Sequence, residues 1–175
     1  MKEREFMNKV ANDNNDFFQA FLDTLEKLRI SFCIVGGLAV NAYAEPVVSL
    51  DLDIVIVTKQ LGHLVSILKE RYSATEYSNS INIKSPSSAL RIQIQTDPRY
   101  QPFIKRAVYK TVLGYEIPVA TIEDVLQGKV WAAMDKTRRA SKRQKDLSDI
   151  LRLIETKEEL VSLLPNSLKK QLFPD

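Results

Sequence analysis

Residues 32–57 read FCIVGGLAVNAYAEPVVSLDLDIVIV, two apolar runs joined through a pair of glycines. The second run opens with Asp51 and Asp53, and the rest of it has the composition of a buried strand. A buried carboxylate is costly unless a positive charge meets it. The fold and function of the chain therefore turn on what neutralises these two acids.

Alternation along a strand places Asp51 and Asp53 on one face, with Cα atoms about 6.6 Å apart. Leu52, Ile54 and Ile56 then lie on the opposite face, in the core. Two carboxylates held this close repel each other unless a cation lies between them. Mg²⁺, or Mn²⁺ in its place, suits such oxygen ligands and takes its remaining ligands from water and substrate phosphates.

Gly36 and Gly37 lie between a strand and the start of a helix. Glycine lets the backbone approach a ligand closely, and a helix N-terminus offers free N–H groups to an anion. Taken alone, a glycine pair is usually a turn, and an Asp-x-Asp sequence is usually a solvated strand edge. Together they predict a site for a nucleoside triphosphate such as ATP or GTP.

Hydrophobic periodicity predicts a mixed αβ core over residues 1–120, with a helical N-terminus at about 14–29, and a helical C-terminal segment over 121–175. The fold class is α+β: a mixed β-sheet flanked by helices. The predicted strands are 31–35, 50–57, 81–84, 90–95, 108–113 and 115–119, and the predicted helices are 17–28, 38–44, 59–72, 122–136, 142–155 and 158–164, with a short one at the end.

Composition excludes several other classes of protein. Net charge is +3, one cysteine excludes an internal disulfide, and no segment approaches the roughly 20 apolar residues of a membrane span. His63 is the single histidine, and no Walker sequence occurs, which argues against histidine zinc sites, Ser-His-Asp triads and P-loop NTPases. We expect a cytoplasmic protein without a membrane partner.

The stretch from Phe32 to Asp53 resembles the signature of the DNA polymerase β-like nucleotidyltransferase superfamily: apolar strand, glycine pair, short helix, Asp-x-Asp strand. Within it the chain is most similar to AbiEii-type nucleotidyltransferases, which include toxins of toxin–antitoxin systems. The resemblance spans about residues 30–155 and implies the nucleotidyltransferase fold.

Lys129 falls inside the apolar stripe of the helix that begins after Thr121, where surface helices rarely place a lysine. Its ammonium either reaches the edge of the stripe, as long side chains do, or meets a negative partner. If this face closes over Asp51 and Asp53, Lys129 could reach a triphosphate. The family carries an Asp-x4-Lys motif here, matched by Asp124 and Lys129, although helix capping by Thr121 is sufficient explanation for Asp124.

The resemblance also implies an aspartate on the next helix, matched by Asp146. Helical periodicity places Asp146 at the margin of the apolar stripe, whereas it predicts that Asp149 points well away. Catalytic roles are therefore expected for Asp51, Asp53, Lys129 and Asp146, and nucleotide binding for Gly36, Gly37 and Lys129.

Residues 136–145 include six basic side chains in ten, usually the mark of a solvated face. Beside a nucleotidyl-transfer site they could instead hold the phosphates of an RNA acceptor. The candidate acceptor-binding residues are Arg138, Arg139, Lys142 and Arg143. Tyr100 and Trp131 could stack on bases, although lone aromatic residues are more often part of the core.

Many members of the superfamily carry a third carboxylate on a later strand. Here the matching strand, 90–95, carries Arg91, Gln93 and Gln95 on its polar face, and Asp97 could substitute only if the strand continues. This departure leaves open a slower enzyme, a base supplied by Asp146, or a nucleotide-binding protein without turnover.

The leading hypothesis is therefore a Mg²⁺-dependent nucleotidyltransferase that transfers a nucleoside monophosphate to an RNA or protein hydroxyl. The resemblance implies that such an enzyme could act as a toxin. The alternative is a catalytically degenerate module that binds nucleotide or a partner, such as a cognate antitoxin-like protein.

Overall fold

A computed structural model describes residues 3–174 of the chain. Seven strands form one mixed sheet in the order β3-β4-β5-β2-β1-β7-β6. The strands are β1 Phe32–Val35, β2 Asp51–Ile56, β3 Ser73–Glu76, β4 Ser80–Lys84, β5 Arg91–Gln95, β6 Val108–Val112 and β7 Tyr115–Val119. The α+β prediction is confirmed.

Eight α-helices accompany the sheet in the described part of the chain. They are α1 Glu3–Val10, α2 Phe17–Lys27, α3 Gly36–Asn41, α4 Thr58–Leu68, α5 Phe103–Arg106, α6 Ile122–Met134, α7 Ala140–Thr156 and α8 Asn166–Leu172. Short 3₁₀ helices at Pro98–Tyr100 and Glu158–Leu163 join them. Among these residues, no helix has the length and apolar character needed to cross a bilayer.

Strand β2 lies at the centre of the sheet, antiparallel to β1 and parallel to β5. Its apolar face confirms the alternation: Leu52, Ile54 and Ile56 are each at most 2% exposed. Because side chains alternate across the sheet, the opposite face carries Asp51 and Asp53 together.

Helices α6 and α7 pack against each other, and both also contact α3. Apolar side chains from the sheet and from residues 121–174 share one hydrophobic core. Thr121 is the N-cap of α6 as predicted, and its hydroxyl accepts a hydrogen bond from the Asp124 N–H at 3.3 Å. The Asp124 carboxylate is held by Arg106 at 2.8 and 2.9 Å, which gives it a structural role.

The sequence patterns did not predict β3, α1 or α5. Strand β3 is an edge strand whose side chains are mostly exposed, so it has no apolar alternation to detect. Helix α5 is a single four-residue turn. Helix α1 buries only Met7 among its residues, which leaves little hydrophobic signal.

Candidate active site

Gly36 brings the backbone after β1 against the side chain of Asp53. Its φ is +68°, and a Cβ built there would lie 2.8 Å from Cβ and Cγ of Asp53 and nearer still to Oδ2. Only glycine combines this left-handed conformation with so close an approach. Gly37, by contrast, has open space around the position of a Cβ. No side chain caps the start of α3, so the N–H groups of its first turn lack a side-chain acceptor there.

Asp51 is compensated by two cations. It lies opposite Arg91 in the register of β2 and β5, and Arg91 Nη2 is 2.6 Å from Asp51 Oδ1. Lys142, in the first turn of α7, places its Nζ 3.4 Å from Asp51 Oδ2. Both oxygens of Asp51 therefore face a positive charge, and the side chain is 31% exposed.

Asp53 differs sharply from its neighbour. Within residues 3–174 the Asp53 carboxylate has no ion pair and accepts no hydrogen bond, although it lines a cavity of about 600 Å³. Desolvation by the surrounding protein raises the pKa of Asp53, Lys129 lowers it less, and the charge of Asp51 raises it further. The Asp53 carboxylate is thus surrounded by protein atoms but still partly accessible to solvent. Within the described residues, no cation forms an ion pair with it.

Asp53 and Asp51 fit the oxygen chemistry of Mg²⁺ as a two-carboxylate site. Asp53 supplies an unpaired carboxylate, and Asp51 lies two residues away on the same face. In the described residues no group of three or more His, Cys, Asp or Glu side chains is arranged to hold a metal. A hard cation here would therefore need water and substrate oxygens to complete its shell.

Gln93 occupies the position beside Asp53. The parallel register pairs Asp53 with Gln93, and the next strand continues this row with Asn82. The neutral amide therefore lies where a third carboxylate would complete the cluster. Asp97 does not replace it, because its carboxylate binds Arg99 at 2.7 and 2.9 Å in a 3₁₀ turn beyond the strand.

Lys129 lies on the wall of the same cavity, 7% exposed. Its Nζ is 3.0 Å from Asp146 Oδ1 and 2.6 Å from Asp149 Oδ2. The lysine therefore meets negative partners, and the alternative that it reaches solvent at the edge of the stripe is wrong. Burial lowers the pKa of Lys129, but the charges of Asp149 and Asp146 outweigh this, so the pKa is raised.

The prediction that Asp149 points well away from the site is wrong. Asp149 is 3% exposed and contacts Lys129 directly. Helix α7 packs on both α6 and α3, so more than one of its faces is buried. Asp146 and Asp149 are three residues apart and therefore lie on adjacent sides of the helix, which lets both reach the lysine.

The four candidate acceptor-binding residues occupy different environments. Arg138 lines the cavity, with Nε 2.7 Å from Asp146 Oδ2, and Lys142 reaches Asp51. Arg139 is exposed at the start of α7, and Arg143 is partly buried with Nε unpartnered. Two of the four thus contact carboxylates of the site.

Tyr100 and Trp131 belong to an aromatic cluster. Tyr100 meets Trp131 edge to face at 5.2 Å between ring centroids, and Phe103 stacks on Trp131 at 5.8 Å. The guanidinium of Arg99 lies 4.6 Å from the Trp131 centroid. These contacts fit the interpretation of both aromatic residues as packing residues.

Sequence reasoning missed Arg91, Asp149 and Arg152 as residues near the site. Arg91 carried a usable signal, since it shares the polar face of β5 with Gln93. Arg152, which contacts Asp149 at 2.8 Å, gave no signal distinct from other basic residues of an amphipathic helix.

Comparison with known proteins agrees with this geometry. The family model described as "Nucleotidyl transferase AbiEii toxin, Type IV TA system" matches residues 20–172. No curated protein gives a match.

Several solved structures share the fold. The structure of ANT(2″)-Ia in complex with adenylyl-2″-tobramycin is 14% identical, covers 88% of this chain and 95% of that one, and gives a TM-score of 0.62. The lincosamide antibiotic adenylyltransferase LnuA, lincomycin-bound, is 12% identical over 80% of this chain and 98% of that one, with a TM-score of 0.55. A nucleotidyltransferase-like protein from Paracoccidioides brasiliensis is 16% identical over 94% and 88%, with a TM-score of 0.53.

At these identities the structures establish the fold alone, and the family model carries the assignment. The resemblance noted in the sequence is confirmed, and the chain is an enzyme of the nucleotidyltransferase class. Because the family model spans most of its residues, the chain belongs to the AbiEii family of nucleotidyltransferase toxins.

Proposed function

We propose that the chain transfers a nucleoside monophosphate from a nucleoside triphosphate, ATP or GTP, to a hydroxyl of an RNA or protein acceptor. The observation that carries this proposal is the arrangement in one cavity of the Gly36 backbone, the unpaired Asp53 carboxylate and Lys129. We propose a cytoplasmic reaction because the cytoplasm supplies nucleoside triphosphates. Membership of a toxin–antitoxin family suggests a cognate antitoxin as regulator.

Asp51 and Asp53 would hold Mg²⁺ or Mn²⁺, which when bound would supply positive charge for the triphosphate. Lys129 donates a hydrogen bond to Asp146 Oδ1 and forms an ion pair with Asp149, and because an ammonium has three N–H donors it can also donate to phosphate oxygens. Gly36 and Gly37 let phosphate approach the backbone. Asp146 holds both Lys129 and Arg138 beside the cavity.

In the transfer, the acceptor hydroxyl oxygen forms a bond to the α-phosphorus. The bond from that phosphorus to the bridging oxygen breaks, and pyrophosphate leaves with the electron pair. Gln93 can accept a hydrogen bond from the attacking hydroxyl but cannot take its proton, which is lost to solvent. Lys129 and Arg138 stabilise charge that develops on the phosphates.

The test is incubation with each α-labelled NTP, Mg²⁺, and either total tRNA or a cell lysate. We expect the labelled phosphate to become attached to the acceptor. Nuclease should remove the label if the acceptor is RNA, and protease should remove it if the acceptor is a protein. No label should be attached by Asp53→Ala. Asp23→Asn is a matched control, since that acid is exposed on α2 and, among residues 3–174, its side chain bonds only to Gln19.

Two further outcomes bear on the proposal. Label on an added aminoglycoside or lincosamide, with none on RNA or protein, would replace the proposed acceptor by a small-molecule hydroxyl. Calorimetric binding of NTP with no transfer to any acceptor would support the alternative of a binding module, for which Gln93 beside Asp53 is the specific observation.

A further inference from the structure

Asp149 is the nearest acidic partner of Lys129, yet unlike Asp146 it does not line the cavity. Lys129 and Asp146 line the cavity, and Asp149 is absent from its wall. The contact between Asp149 Oδ2 and Lys129 Nζ, at 2.6 Å, therefore holds the ammonium through a residue outside the cavity lining. A substrate that enters the cavity meets the lysine but not this carboxylate.

Arg152 holds Asp149 in turn. Its Nη1 donates to Asp149 Oδ1 at 2.8 Å, and its Nη2 donates to Asn41 Oδ1 at 2.9 Å and to the Glu45 carbonyl. The Arg152 side chain is 17% exposed and that of Asp149 is 5% exposed, so their contact is largely shielded from water, whereas the contact with Glu45 lies at the surface. The planar guanidinium suits this double role because its donors point in fixed directions.

Asn41 carries the connection to the loop before β2. Its Nδ2 donates to the Val47 carbonyl at 2.7 Å, and its Oδ1 accepts from the Val47 N–H at 3.0 Å. Asn41 ends α3, the helix that begins with Gly36 and Gly37. Residues 42–50 follow and lead directly to Asp51.

One chain of contacts therefore joins Lys129 to residues 42–50, the segment that leads to the candidate metal ligand Asp51. It passes from Lys129 through Asp149 and Arg152 to Asn41 and residues 42–50. Buried ion pairs are weak contributors to stability, because desolvation offsets much of their attraction. Apolar residues could close this space, so the polar network calls for another explanation.

The geometry assigns Asp149 and Arg152 as positioning residues: they hold the Lys129 ammonium at the cavity and couple it to the loop that carries Asp51. The inference rests on the proposed function for the role of Lys129, but the coupling itself is a property of the nucleotide-free protein. Neither residue lines the cavity, so each would act through a neighbour.

The first test is the pH dependence of binding of non-hydrolysable ATP and GTP analogues with Mg²⁺. Asp149→Asn keeps the shape of the side chain but removes the largest cause that raises the pKa of Lys129, while burial still lowers it. As the pH is raised, we expect the affinity of Asp149→Asn for the analogues to begin to fall at a lower pH than that of the natural protein. Glu155→Gln removes a negative charge from an exposed site on the same helix and should leave the profile unchanged.

The second test is a double-mutant cycle on the same binding constants with Asp149→Asn and Arg152→Gln. Residues of one network couple, and the expected departure from additivity is between about threefold and a hundredfold. Asp149→Asn combined with Lys145→Gln, an exposed basic residue on α7, should be additive. Arg152→Lys keeps the charge without the fork and should not restore binding.

Hydrogen exchange separates this inference from the proposed function. In nucleotide-free protein, we expect Asp149→Asn and Arg152→Gln to speed amide exchange in residues 42–50, and Lys145→Gln to leave it unchanged. If the natural protein binds neither analogue, the proposed substrate is wrong, and exchange alone decides the coupling. Superimposed pH profiles, an additive cycle, or an unchanged exchange rate in Asp149→Asn overturns the inference.

Discussion

Asp53 and Gln93 lie directly opposite each other on the parallel strands β2 and β5. The pairing puts a carboxylate beside a neutral amide at the floor of the cavity, with Asn82 next in the row. Gln93 and Asn82 therefore continue the row from Asp53 with hydrogen-bonding groups that carry no charge.

Gln93→Asp should convert this face into a three-carboxylate site. We expect the affinity for Mn²⁺ to rise by about tenfold, since added carboxylate ligands strengthen sites for hard cations. Without metal the added like charge should lower the free energy of unfolding by about 1 kcal/mol. Mn²⁺ titration followed by electron paramagnetic resonance, with thermal unfolding in a chelator, measures both quantities.

Gln95→Asp is the matched control, since Gln95 lies on the same face of β5 but opposite Val55. It should change Mn²⁺ affinity less than Gln93→Asp. Equal gains in the two variants would show that total charge, and not the position beside Asp53, governs metal binding.

Asp53→Asn should stabilise the metal-free protein while it removes metal binding. The raised pKa of Asp53 means that the folded state favours the protonated form. Its contribution to stability is present below the unfolded value near 3.8 and is lost as pH rises through the folded pKa. Near neutral pH the variant should be more stable by about 1 kcal/mol, and the gain should vanish in acid.

Asp51→Asn should change stability in the opposite direction, because Asp51 already has Arg91 and Lys142 as partners. Chemical denaturation of both variants in a chelator at several pH values compares them. Destabilisation by Asp53→Asn at neutral pH would contradict the picture of an uncompensated carboxylate.

Lys142→Gln should strengthen Mn²⁺ binding in the absence of nucleotide. A metal at Asp51 competes with the Lys142 ammonium, whose Nζ lies 3.4 Å from Oδ2. Removing that competitor should lower the dissociation constant by roughly threefold to tenfold, as expected for a partly exposed charge. Calorimetric titration of nucleotide-free protein gives the number.

Lys145→Gln removes the same charge from an exposed position on α7. It controls for the long-range effect that any positive charge on this helix has on Mn²⁺ binding. An equal effect in both lysine variants would mean that Lys142 acts at long range. A weaker affinity in Lys142→Gln would mean that it supports the metal site.

Gly36→Ala should destabilise the protein far more than Gly37→Ala. The methyl group would meet the Asp53 side chain in a left-handed backbone conformation, which by itself costs about 1 kcal/mol or more. Gly37→Ala has room and improves helix propensity. Thermal unfolding of the pair is the measurement, and similar melting temperatures would contradict the close approach of Gly36 to Asp53.

Local patterns sufficed for much of the fold and part of the site. Alternation along β2 placed Asp51 and Asp53 on one face and the apolar residues on the other, because a central strand with one buried face leaves no freedom of register. The wheel of α6 singled out Lys129 because an ammonium inside an apolar stripe needs a partner.

The same reasoning failed for Asp149 because a helical wheel assumes one buried face. Helix α7 has two, one toward α6 and one toward α3, and only the tertiary arrangement reveals the second. The convergence of Arg91 and Lys142 on Asp51 could not be predicted for a similar reason, since it depends on which strand and which helix end lie next to β2.

The distribution of the site along the chain bears on whether part of the chain can act alone. Residues before 120 provide Asp51 and Asp53, and residues after it provide Lys129 and Asp146, while the Tyr43 hydroxyl donates to the Ala120 carbonyl at 2.7 Å where the two parts meet. Neither portion alone contains a complete set of charged groups. Separating the chain near residue 120 would put the two strand acids and the lysine of the proposed site on different fragments, so we expect neither fragment alone to transfer nucleotide.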